Sequence, residues 1–136
     1  METKNDLNED ELSNIILGAA IDVHTQLGPG LLENVYKKVL AIKLQNLGLH
    51  VEVEKTMPIL IDGISIDLGY KIDLLVQEKL VIELKSVKEI SDVHVAQAIN
   101  YLKLGKYKLG LIINFNVSKL KYGIKRVINT QGPRPF

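Results

Sequence analysis

Asp73, Glu83 and Lys85 are the residues of this 136-residue chain whose types and spacing could do chemistry. They lie in Asp73-Leu74-Leu75-Val76-Gln77-Glu78-Lys79-Leu80-Val81-Ile82-Glu83-Leu84-Lys85, two apolar runs of strand length around a short polar segment. A turn at Gln77-Glu78-Lys79, centred on Glu78, predicts a hairpin with Asp73 opposite Glu83. Alternation then puts Lys85 on the face of Glu83, with Ile72, Leu74, Val76, Leu80, Ile82 and Leu84 pointing the other way. Two carboxylates and a lysine on one face of an apolar element are costly unless partner charges or a metal ion compensate. Carboxylates on neighbouring strands can hold a hard divalent cation such as Mg²⁺, which polarises a phosphate and acidifies a bound water. A lysine alongside can orient that water or steady developing negative charge. The pattern of Asp, nine residues, Glu, one residue, Lys is short, and a second reading stands beside the first: an ion-pair cluster on a solvated sheet face.

The elements that must position this hairpin follow from periodicity. Asn8, with Glu11 three residues on, has the spacing of a capping box. The helix that follows buries Leu12, Ile15, Ile16, Ala19, Ala20, Val23 and Leu27, and Gly28-Pro29-Gly30 ends it. A second helix is predicted over Leu31–Leu47, with Leu32, Val35, Tyr36, Val39, Ile42 and Leu47 on its apolar face and Gly48 as its stop. Val51 and Val53 alternate with Glu52 and Glu54, as in a strand with one wet face. Pro58 marks an edge or break. Ile59-Leu60-Ile61 and Ile64-Ser65-Ile66 flank Asp62-Gly63, a two-residue hairpin signal. Ser91 or Asp92 caps a third helix over Val93–Leu104, on which Ala96, Ile99 and Leu102 or Lys103 face away from Gln97 and Tyr101. Leu109–Phe115 is a buried strand, and Lys119–Ile128 a strand or short helix. Residues 1–7 and Gln131–Phe136 read as loose tails. The element order predicts a mixed α+β, or α/β, fold with helices packed on a central sheet, one domain in length.

Composition narrows the function. The net charge of +1 means that any nucleic-acid contact comes from a local patch and not from an overall field. Lys119, Lys121, Lys125 and Arg126 are such a patch, or simply a solvated face. Five Tyr, two Phe and no Trp offer little for base stacking. The absence of cysteine excludes disulfides and thiolate metal sites. No run approaches a membrane span, the first residues are polar without a signal-peptide core, and a cytoplasmic location is the expectation. Three other residues bear on chemistry. Glu33 sits in a first helical turn, where the helix dipole alone accounts for a carboxylate. Gln97 and Tyr101 share a helical face, with His94 three residues before Gln97 as a candidate for the same face, and an amphipathic helix explains them equally well. The histidines at 24, 50 and 94 lack zinc-site spacing.

Taken together, Gly30-Leu31-Leu32-Glu33-Asn34-Val35-Tyr36 fits GxxExxY, and four blocks follow it in order. These are Gly69–Val76, Val81–Val87, His94–Leu102 and Gly110–Phe115. Over roughly residues 10–128 the chain resembles the GxxExxY family of small prokaryotic proteins, placed in the PD-(D/E)XK nuclease superfamily. The resemblance implies a restriction-endonuclease-like fold. It implies Asp73 and Glu83 as ligands of Mg²⁺ or Mn²⁺, Lys85 near the attacking water, and Glu33 helping to hold the metal or its waters. Gln97 and Tyr101 would match a QxxxY element that lines some sites of the superfamily. Lys71 departs from the arginine expected before the Ile-Asp pair, and the two are not equivalent at phosphate. The implied function is a metal-dependent nuclease acting on nucleic acid, DNA above all, with a homodimer compatible with cutting two strands. The alternative is a non-catalytic nucleic-acid- or protein-binding accessory module on the same fold.

Overall fold

The computed structural model describes residues 6–67 and 69–130. In chain order the elements are α1 (Glu9–Leu27), α2 (Glu33–Asn46), β1 (Val51–Thr56), β2 (Ile59–Ile61), β3 (Ile64–Ile66), β4 (Lys71–Val76), β5 (Leu80–Lys85), α3 (Asp92–Gly105), β6 (Leu109–Asn114) and β7 (Ile124–Ile128). A 3-10 turn, Leu120–Gly123, precedes β7, so the stretch read as a strand or a short helix is both in succession. The central sheet runs β1-β4-β5-β6-β7. Only β5 and β6 are parallel within it, and α3 is the crossover that their parallel pairing requires. The β2–β3 hairpin stands apart and turns at Asp62-Gly63, where φ is 50° and 76°. Both central residues thus take the left-handed conformation that this dipeptide tolerates best.

The sheet separates two apolar layers. On one face α1 supplies Leu12, Ile16, Ala19, Ala20 and Val23, and α2 supplies Tyr36, Leu40, Ala41 and Leu44. They pack on Leu74, Val76, Leu80, Ile82, Leu84, Leu111 and Ile113. On the other, Ala98, Tyr101 and Leu102 of α3 pack on Ile72, Leu75, Val81, Ile112 and Val127. Gly110 permits the second contact. A Cβ there would stand 3.0 Å from Val127 Cγ2 and 3.3 Å from Leu102 Cδ2. The capping boxes form at α1, through Asn8 and Glu11, and at α3, through Ser91 and His94.

Four expectations are corrected. First, α2 buries the stripe Tyr36, Leu40, Ala41 and Leu44, while Leu32 is 77 % and Ile42 57 % exposed, with Val35 and Leu47 exposed too. The chain offers apolar residues on two helical faces. The Tyr36 ring, stacked 4.4 Å from Phe115, selects one of them. Second, Tyr101 and Leu102 are buried together with Ala98, whereas Ala96 is exposed beside Gln97. Spacings of three and four put 98, 101 and 102 on one stripe. Third, Ile72 packs with the α3 layer and not with Leu74 and Val76. Glu54 lies opposite Asp73 by register but has φ 55°, and neither joins the ladder between the Val53↔Leu74 and Lys55↔Ile72 pairs. Across this gap Ile72 and Leu74 fall in different layers, and Val53 is half exposed, against the alternation read for β1. Fourth, Leu7 packs against the α1 layer, and its carbonyl accepts from Lys79 Nζ at 2.7 Å. Residues 1–5 and 131–136 of the expected tails lie outside the described residues.

Candidate functional site

The β4–β5 pair has the expected register, Leu74↔Ile82, Leu75↔Val81 and Val76↔Leu80. Beyond Leu74↔Ile82 side chains take over the pairing. Asp73 N–H donates to Glu83 Oε1 at 3.4 Å, and Leu84 N–H donates to Asp73 Oδ2 at 2.8 Å. The two carboxylates are thereby fixed across the end of the hairpin. Glu83 is only 6 % exposed, because its neighbour Val81 faces α3 and Glu83 follows on the same side. A solvated ion-pair cluster does not describe a buried carboxylate. The break in β4 sets Asp73 at the switch between the two layers, within reach of both. From α2, Lys37 Nζ lies 3.9 Å from Asp73 Oδ1 and 3.0 Å from Glu54 Oε1.

The electrostatics follow from this crowding. Burial, and then the Asp73 charge, push the Glu83 carboxyl far above the usual carboxylate range. The lysine that would lower it, Lys85, is a weaker influence. Glu33 opens α2 and is raised by burial, with Lys85 as its strongest compensating charge and Asp73 opposing it. Glu33, at the start of α2, is thus within electrostatic reach of Lys85 and Asp73. Among the described residues no acid lies within 4.0 Å of Lys85 Nζ, which leaves the ammonium available. On α3, Gln97 Nε2 donates to Tyr101 Oη at 3.2 Å. Burial and then the Glu83 charge raise the Tyr101 phenol, so it stays a donor at neutral pH. Beside this pair a cleft of about 560 Å³ runs between α3 and the β2–β3 hairpin, lined by Ile59, Tyr70, Gln97, Asn100, Tyr101 and Lys103.

Asp73 and Glu83 are thus joined by hydrogen bonds, Gln97 is bonded to Tyr101, and Glu33, Lys85 and Tyr101 each feel the charge of the Asp73–Glu83 pair or act on it. The spacing is not uniform. Among the described residues, His50, Glu52 and Glu78 bring ligand atoms within 4.8 Å of one another. Glu33, Asp73 and Glu83 do not close to that distance as a trio, and Glu33 stands wider than the hairpin pair. The His50 group lies at the other end of the sheet, where Lys55 Nζ already sits 3.2 Å from Glu52 Oε2. His94 is occupied as a cap, its Nδ1 accepting from Ser91 N–H. Of the basic stretch, Arg126 is paired with Asp10 and Lys121 lies over the Tyr122 ring. Lys37 and Glu54 were not anticipated. Lys37 is four residues after Glu33, a spacing at which helix side chains meet, and that signal could have found it. Nothing in the sequence announces the left-handed Glu54.

Three helices on a five-stranded mixed sheet, with the acids at the sheet's end, make a restriction-endonuclease-like architecture. No curated protein and no solved structure matches the chain. The sequence pattern of the PD-(D/E)XK nuclease superfamily does match it, over residues 10–127, from the first turns of α1 to the end of β7. The chain belongs to the PD-(D/E)XK nuclease superfamily.

Proposed function

We propose that this chain is a divalent-metal-dependent nuclease of the GxxExxY type, hydrolysing phosphodiester bonds of nucleic acid, with DNA the expected substrate and Mg²⁺ or Mn²⁺ the expected metal. The observation that carries the reading is the buried Glu83 carboxylate set against Asp73 with Lys85 two residues on. Superfamily membership supports it.

The donor set fits a hard cation. Asp73 Oδ2 and Glu83 Oε1 are each oriented by a backbone N–H, and Asp73 Oδ1, with Lys37 Nζ 3.9 Å away, and Glu83 Oε2 would be the oxygens to offer a cation. Burial, and then the Asp73 charge, raise Glu83, and a divalent cation between the two acids would offset both. A divalent cation held there would supply the polarisation of the scissile phosphate and the acidification of a water. Asp73 and Glu83 would hold it, with Glu33, standing wider, as a further acid beside it. Lys85 Nζ orients the attacking water and steadies negative charge on the phosphate. Tyr101 Oη donates toward a phosphate oxygen, with Gln97 fixing the ring's hydroxyl. The cleft along α3 takes the adjoining strand.

A homodimer is part of the same proposal. Leu60, at 69 % exposure, with Ile61 and Ile64, makes the β2–β3 hairpin an apolar surface suited to a partner copy, and sedimentation at micromolar concentration tests it. No helix among the described residues is long and apolar enough to cross a membrane. The activity test is incubation with single-stranded and duplex DNA and RNA, with Mg²⁺, Mn²⁺ or chelator, beside an Asp73→Ala/Glu83→Ala variant. Metal-dependent cleavage that the variant lacks supports the proposal. No cleavage of any substrate, with no metal binding by calorimetry, overturns it.

A further inference from the structure

We infer that Tyr36 and Ser86 are positioning residues that together clamp Leu31, and so hold Glu33 against the Lys85 end of β5. The inference rests on the nuclease reading for its functional consequence, but its geometry stands alone. Of the three helices, α2 is the one whose N-cap, Leu32, makes no side-chain cap hydrogen bond. Yet α2 is the helix that carries a site acid, Glu33, in its first turn. Something else must fix that turn.

The loop before it is tied from both sides. Tyr36 Oη donates to Gly28 O at 2.6 Å and accepts from Leu31 N–H at 3.1 Å, so its hydroxyl is used in both directions. Ser86 Oγ donates to Leu31 O at 2.7 Å. Leu31 is thus held by its N–H to α2 and by its carbonyl to the residue after Lys85. Glycine makes the loop possible, since Gly28 and Gly30 have φ of 69° and 95° with open space around each. A second link runs through the core. The fully buried Tyr36 ring stacks on Phe115, and Phe115 N–H donates to Lys85 O at 3.0 Å. Both routes end on the Lys85-Ser86 dipeptide. The glutamate and tyrosine three apart in the motif therefore divide the work: Glu33 faces the site, and Tyr36 sets where Glu33 stands. Glu33 responds to Lys85 more strongly than to any other charge, as that placement requires.

The test compares wild type with Ser86→Ala, Ser86→Thr and Tyr36→Phe by two readouts. Amide hydrogen exchange needs no activity. Ser86→Ala and Tyr36→Phe should speed exchange at Leu31 and in the first turn of α2 about tenfold, with β6 unchanged. In cleavage assays both should raise the Mg²⁺ needed for half-maximal rate about tenfold, the scale of an outer-sphere positioning partner, with substrate KM unchanged. Ser86→Thr keeps the hydroxyl and should restore both. Wild-type exchange and Mg²⁺ requirement in Ser86→Ala, or a Ser86→Thr that behaves like Ser86→Ala, overturns the inference. If wild type cleaves nothing, the nuclease reading fails, and the exchange pattern alone decides the clamp.

Discussion

Glu83→Gln should make the metal-free protein more stable, and the gain should grow with pH. The Glu83 carboxyl is buried against Asp73 and is pushed up to about 9 from an ordinary 4.5. An acid whose value rises on folding binds its proton more tightly in the folded state. Its contribution is therefore fully present below the ordinary value and is lost as pH rises toward the folded value. Each unit is worth about 1.36 kcal/mol, so at pH 8 the acid costs the folded state at most about 5 kcal/mol. Glutamine keeps an oxygen to accept from Asp73 N–H and carries no charge, but its buried amide N–H₂ must find a partner, at about 1–3 kcal/mol. The net gain at pH 8 is on the order of 2 kcal/mol, roughly 5–10 °C in Tm for a chain of this size. The assay is thermal unfolding in chelator from pH 5 to 9, wild type against variant. Their difference should widen steadily over that window, and Mg²⁺ should stabilise wild type while leaving Glu83→Gln unmoved. A difference that is flat with pH, or a variant less stable at pH 8 than wild type, refutes the reasoning.

Lys85→Ala should slow metal-dependent cleavage by about a hundredfold, the scale of losing one group that stabilises developing charge. It should leave Mn²⁺ binding by calorimetry intact, because the carboxylates do the ligating. Gly110→Ala should lower the urea midpoint by an amount equal to about 1–3 kcal/mol, since the added methyl meets Val127 and Leu102 at the α3–sheet contact. Its response to Mg²⁺ should stay that of wild type.

The hairpin was legible because its register depends on turn position and a period of two, both local. The caps of α1 and α3 and the Asp62-Gly63 turn were legible for the same reason. The buried face of α2 was not. Leu32, Val35 and Ile42 satisfy a helical period as well as Leu40 and Leu44 do, and the choice is made by Tyr36 stacking on a residue 79 positions away in the chain. The layer that Ile72 joins was hidden too, since strict alternation gives no sign of the gap in the ladder at Glu54 and Asp73. Spacing alone assembled the site acids from the hairpin. It could not bring in Lys37, nor show that Ser86 ties the α2 loop to β5, since such side chain-to-backbone links join distant segments and leave no periodic trace.

Cleavage of an oligonucleotide in ¹⁸O-labelled water, with Mg²⁺, is the most direct measurement, wild type beside Asp73→Asn/Glu83→Gln. Hydrolysis at Asp73, Glu83 and Lys85 predicts product from wild type with one label in its new terminal phosphate, and no product from the variant. Equal product from the variant, unlabelled product, or none from wild type on any DNA or RNA would contradict it.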